Sequence, residues 1–112
     1  MIHKMNLNDS PFYSIKSGHK TVEMRLYDEK RSLIKIGDEI EFCHRENGEK
    51  MLTRVCNLAK FKDFAELYEH YDKGNLGYSE NEIADPHHMS RYYSDEDIRL
   101  YGVLAIEVEL IR

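Results

Sequence analysis

Cysteine is scarce in this sequence: Cys43 and Cys56 are the only two, and they lie in separate apolar segments with no CxxC spacing. That argues against a disulfide scaffold or a zinc ribbon, and for two buried free thiols in a reducing compartment, hence a cytoplasmic protein. Long hydrophobic runs are missing too. No apolar stretch approaches the roughly 20 residues that cross a bilayer, which excludes a membrane-spanning helix, and the opening MIHKMNLNDS is too polar to read as a secretory signal. The two prolines, Pro11 and Pro86, stand at element edges, and there is no repeat, low-complexity tract or linker. The 112 residues therefore read as one domain, 1–112, able to remove roughly two thirds of its unfolded surface from water. Positive charge is not in excess either; a net charge of -5 argues against a general polyanion binder.

What is present is unevenly placed. Residues 1–62 carry 12 Lys+Arg against 9 Asp+Glu, a net of +3, whereas residues 63–112 carry 4 against 12, a net of -8. A basic N-terminal half is where an anionic ligand would be met, unless that charge is merely scattered over a solvated surface.

Patterning predicts mostly strands. Ile2 to Leu7 alternates as a strand; Asp9 or Ser10 then caps a short helix that holds Pro11 in its first turn, buries Phe12 and Ile15, and stops at Gly18. Thr21 to Leu26 is a second strand. After the polar loop YDEKRS and the apolar Leu33, Ile34 and Ile36, a Gly37-Asp38 turn leads into Glu39-Ile40-Glu41-Phe42, with Ile40 and Phe42 inward. Asn47-Gly48 is a hairpin signal joining this strand to Lys50–Lys60, whose core candidates are Leu52, Val55, Cys56 and Leu58. Alternation slips between Leu52 and Val55, so a bulge or sharp twist is expected there. Asp63 caps a helix with Phe64, Leu67, Tyr68 and Tyr71 as packing residues. Ser79 and Glu82 form a capping box for a helical stretch that Pro86 must cut or kink. Gly102 to Ile111 closes the chain as a strand. Five strands, few helices and no regular βαβ alternation predict a small mixed barrel of the α+β class, whose packed interior leaves an outside cleft for any ligand.

GHKTVEMR at 18–25 is the segment that raises the question of function. On a strand, Thr21, Glu23 and Arg25 share one face and Val22, Met24 and Leu26 the other, while Lys20 follows Gly18 closely enough to turn either way. Unpaired ions in the core would each cost several kcal/mol, of the order of the whole net stability, which leaves open solvent or a ligand cleft.

The pattern G-x-K-x-x-E-x-R, made here by Gly18, Lys20, Glu23 and Arg25, followed by IKIGDEIEF at 34–42 and YGVLAIEVEL at 101–110, resembles the ASCH domain family over essentially the whole chain. The resemblance implies a PUA-like β-barrel of about five to six strands with two to four short helices. It also implies a cleft beside the barrel, and RNA or a modified nucleoside as ligand. Carried over residue by residue, it makes Lys20, Glu23 and Arg25 the cleft residues. Lys20 can meet a phosphate or polarise a carbonyl, Arg25 can offer a planar fork to phosphate or a base edge, and Glu23 can orient either cation. Thr21 and Tyr27 flank the motif as candidate ligand contacts, and SRYYSDEDIRLY can roof the cleft, with Tyr93 or Tyr92 stacking on a base.

One branch of the family is similar to small acetylcytidine amidohydrolases that use a lysine, a threonine three residues later and a distant glutamate. Lys20 matches, but Glu23 occupies the threonine position, and among the acids of loop 72–82 Glu80 is the choice for the distant one because Glu82 has a capping role. A water-activating version would use Glu23 as general base and Lys20 for the oxyanion. Ribonuclease action through the 2′-hydroxyl is a second enzymatic alternative, and a protein-interaction module a non-enzymatic one. His87-His88 beside Asp85 has the composition of a metal site, yet adjacent histidines diverge and no third ligand stands at a useful spacing. No metal or other cofactor is expected.

Overall fold

The computed structural model describes residues 1–112. Five strands, β1 (Ile2–Leu7), β2 (Val22–Leu26), β3 (Glu39–His44), β4 (Lys50–Phe61) and β5 (Val103–Leu110), form a single sheet in the order β1-β3-β4-β5-β2. β1 runs parallel to β3 and every other neighbouring pair is antiparallel. Three short helices, α1 (Asp9–Lys16), α2 (Phe64–His70) and α3 (Asp95–Tyr101), and two 3-10 turns at Arg31–Leu33 and Pro86–Arg91 complete the chain. No helix is long and apolar enough to cross a membrane.

The sheet curls into a half-barrel, so that its edge strands, β1 and β2, approach each other although no ladder joins them. A side chain spans the gap instead: Arg25 Nη2 on β2 donates to the Asn6 carbonyl on β1 at 3.0 Å. The β2–β5 register sets Glu23 opposite Ile106 and Arg25 opposite Leu104. Directly opposed residues share a face. Both charged side chains therefore lie on the face that carries the larger core, built on Phe12, Ile15, Ile40, Phe42, Val55 and Ile106. Val22, Met24 and Leu26 point the other way, into a second core closed by Phe64 and Leu67 of α2 with Leu76 and Met89. β5 supplies both cores, which explains why its first four residues are buried on alternate faces without a polar break.

Several local expectations shift. Asn8, not Asp9 or Ser10, is the N-cap of α1 and makes no side-chain cap, while the Asp9 carboxylate lies 2.8 Å from His44 Nε2. The β4 irregularity falls between Val55 and Asn57, so Cys56 is the extra residue and is exposed. Before it Met51, Thr53 and Val55 point inward and Leu52 is only half-buried; after it the phase flips and Leu58 packs on the core. Both thiols are free, but Cys43 is half-buried and Cys56 exposed rather than both being buried. Glu82 does accept from the Ser79 amide at 2.8 Å, yet no helix follows. Pro86 opens the next 3-10 turn instead of cutting a helix, with the Asp85 carboxylate capping the His87 amide at 2.9 Å.

Candidate functional site

Lys20 is held before β2 begins. Gly18 takes φ +85 and turns the chain off α1. The Lys20 amide donates to the Ser14 carbonyl at 3.0 Å, and the amides of Thr21 and Val22 both donate to the Asn75 carbonyl at 3.0 Å. Gly77, at φ +103, lies so close that a Cβ there would stand 3.2 Å from Lys20 Cδ. This main-chain clamp settles the direction that alternation left open. Lys20 turns to the side of Glu23, and its Nζ lies 3.0 Å from Glu23 Oε1.

Glu23 is the hub. Its Oε1 also accepts from the Met24 amide at 3.1 Å, and its Oε2 accepts from Arg25 Nε at 3.1 Å and Nη2 at 2.9 Å. The residue is 5% exposed and Lys20 7%. Burial alone would raise the Glu23 carboxyl, but the ammonium and guanidinium beside it, with their hydrogen bonds, outweigh burial and hold it down at about 2. The three groups sit at the boundary of the core, mutually paired with a net charge of +1, and the planar fork of Arg25 is spent on Glu23 instead of facing outward. Burial raises the Tyr93 hydroxyl, although the Arg25 charge nearby opposes it.

These residues form one wall of a cavity of about 870 Å³ lying between the β1 and α1 edge, β2, and the 76–93 segment. Lys20, Arg25, Arg31, Arg45 and Arg91 line it against Glu23 and Glu82, so five cations face two carboxylates inside a chain of net charge -5. Four tyrosines, Tyr68, Tyr78, Tyr92 and Tyr93, also line it. Tyr68 and Tyr78 are joined through their hydroxyls at 2.8 Å, Tyr78 continues to His88 Nδ1 at 3.0 Å, and the Tyr93 ring stacks on Phe64.

The structure thus brings Lys20, Glu23, Arg25 and Tyr93 to one cavity. It does not bring Thr21, Tyr27 or Glu80 there. Thr21 lies just outside β2, where its amide is tied to the Asn75 carbonyl, and Tyr27 packs on the larger core with Lys60 Nζ 4.3 Å above its ring. Glu80 is exposed, its carbonyl taken by Lys73 Nζ at 2.9 Å. His87 pairs with Asp85 at 3.0 Å while His88 turns to Tyr78, and no group of three or more metal-ligating side chains converges anywhere.

Sequence reasoning missed Ser14, Arg31, Arg45, Tyr68, Tyr78 and His88 as wall residues. A signal existed for Ser14, since Ser10 and Ser14 stand one helical turn apart beside the buried Phe12 and Ile15. For Arg31, one of several charges in a polar loop, there was none.

A family model for the ASCH domain matches residues 5–112. Among solved structures, hypothetical protein PH0355 is 33% identical, covering 99% of this chain and 100% of its own, with a TM-score of 0.84. Protein PF0455 from Pyrococcus furiosus is 34% identical, covering 100% and 99%, with a TM-score of 0.72. At 13% identity the fold is still shared with an ASCH domain from Lactobacillus crispatus, which covers 97% of this chain and 79% of its own at a TM-score of 0.69. No curated protein matches. The curled five-stranded half-barrel with its helices is an α+β fold of the PUA-like kind, and the chain belongs to the ASCH domain family.

Proposed function

We propose that the protein binds RNA by admitting a nucleotide-sized segment of a single strand, or a free nucleotide, to this cavity. The observation that carries the reading is a surplus of three cations over carboxylates in one tyrosine-lined cavity of a net acidic chain. Cations attract phosphate, and tyrosine faces stack on any base. A local surplus of positive charge in one cavity of a chain that is net acidic favours a short single-stranded contact over an extended duplex track. The free thiols of Cys43 and Cys56 suit action in the cytoplasm.

Binding is favoured over amide hydrolysis by the state of the motif itself. A carboxylate held at about 2 is a weak base near neutral pH, which disfavours Glu23 as the group that activates water. Thr21 and Glu80 lie off the wall. The test is titration of the protein with short single-stranded RNAs and nucleoside monophosphates, read by NMR at the cavity residues. Shifts should concentrate on the 20–25 and 76–93 segments, and affinity should fall as salt rises. Absence of shifts there, or turnover of acetylated cytidine, would overturn the reading.

A further inference from the structure

Two arginines line the cavity in different states of hydrogen bonding. Arg25 has spent its fork: Nε and Nη2 both donate to Glu23 Oε2, and Nη2 also reaches the Asn6 carbonyl. Arg31 has not. Its side chain makes one hydrogen bond, from Nη1 to Asp28 Oδ2 at 3.2 Å, which holds the guanidinium from one side. Nε on the other side is buried and has no partner. In the whole chain only one other side-chain polar atom is buried without a partner, Ser14 Oγ, and it lines the same cavity. Buried donors are almost always satisfied. Two orphans in one cavity wall are therefore the mark of groups kept for something that enters.

We infer that Arg31, and not Arg25 of the G-x-K-x-x-E-x-R motif, supplies the unpaired guanidinium fork that takes the phosphate of the nucleotide. Asp28 is its support: one carboxylate oxygen holds Nη1 and the other accepts the Arg31 amide at 2.9 Å, so both the turn and the guanidinium plane are set before ligand arrives. A planar fork whose Nε has no partner matches two phosphate oxygens at once when ligand displaces its cover, which an ammonium cannot do. The inference rests on the nucleotide reading above.

Calorimetric titration of the full chain with the four nucleoside 5′-monophosphates and the matching nucleosides tests it. The parent should prefer monophosphates. Arg31→Gln should weaken monophosphate binding by about 10- to 100-fold, the range of a good bidentate contact, and leave nucleoside binding as in the parent. Arg31→Lys should recover little of the loss, because it restores the charge without the fork. The melting temperature should stay within about 2 °C of the parent in both variants, since the Asp28 contact to the Arg31 amide survives and a single half-buried ion pair with a buried nitrogen left unpaired contributes little. Parent-like monophosphate affinity in Arg31→Gln overturns the inference while the nucleotide reading stands. Equal loss for nucleoside and monophosphate overturns it too, by placing a base edge on the fork. Full recovery by Arg31→Lys shows a point charge suffices and rejects the fork. A parent that binds neither ligand class removes both readings together.

Discussion

The Arg25 and Arg31 walls of the cavity carry the same side-chain type in opposite conditions. On the Arg25 wall every ion has a partner and the group sits against the larger core; on the Arg31 wall the guanidinium is tethered by Asp28 and keeps a buried nitrogen unpaired. The first wall is built to hold itself together, and the second to hold something else. Residue type therefore does not locate a ligand contact; unspent hydrogen-bonding capacity does. A motif rich in charge can be the scaffold that shapes a site, with the contacting group supplied from a loop that no motif marks.

The comparison breaks most visibly at its hub. Glu23→Gln leaves the buried Lys20 and the partly buried Arg25 beside an uncharged partner, and removal of one member of a buried ion pair costs about 3–5 kcal/mol. Thermal unfolding should fall by about 10–20 °C, against almost no change for Arg31→Gln; similar losses for the two would erase the distinction between the walls.

Acid probes the same hub without mutation. The Glu23 carboxyl stands at about 2 in the folded state against an ordinary 4.5, so its contribution to stability is complete above 4.5 and disappears as pH falls towards 2. The melting temperature of the parent should stay nearly level from pH 7 to 5 and drop below 4.5, and Glu23→Gln should lose that share of the drop. Identical acid profiles for parent and variant would show that Glu23 does not sustain the array.

A smaller effect is expected at the clamp. Gly77→Ala places a side chain at φ +103 and a Cβ 3.2 Å from Lys20 Cδ. The backbone strain costs about 1–2 kcal/mol, roughly 4–10 °C in melting temperature, and the displaced Lys20 should reduce nucleotide affinity as well. Smallest is Ser14→Ala, which removes a single hydroxyl contact and should weaken nucleotide binding by about 2- to 10-fold with stability retained or slightly raised, since an unsatisfied buried group is lost. Isothermal titration reads both, and unchanged affinity in Ser14→Ala would mean that its orphan oxygen is not kept for ligand.

Much of the framework was legible before any coordinates. The strand at Ile2–Leu7, the Asn47-Gly48 hairpin, the Asp63 cap and the closing strand all follow from periodicity and turn chemistry, which depend on neighbours in sequence. The elements that went astray have non-local causes. Asp9 looked like a cap, but His44 from β3 claims its carboxylate. Cys56 looked like core, but the bulge pairing β4 to β5 turns it out to solvent. In the site, Lys20, Glu23 and Arg25 could be picked out as one cluster from eight consecutive residues, whereas Arg31, Ser14 and Tyr78 come from three separate connections that meet only when the sheet curls.

By itself, then, the amino-acid order determined that this chain makes a small strand-rich domain of the ASCH family and which three ions cluster on one cavity wall, because hydrophobic alternation, caps and a short motif are local properties. Tertiary structure alone decided that those ions pair with one another beside the β1–β2 seam, and that the unspent fork lies on Arg31. Pairing and burial depend on which groups the curled sheet brings within about 3 Å of one another, a distance relation that no spacing along the chain encodes.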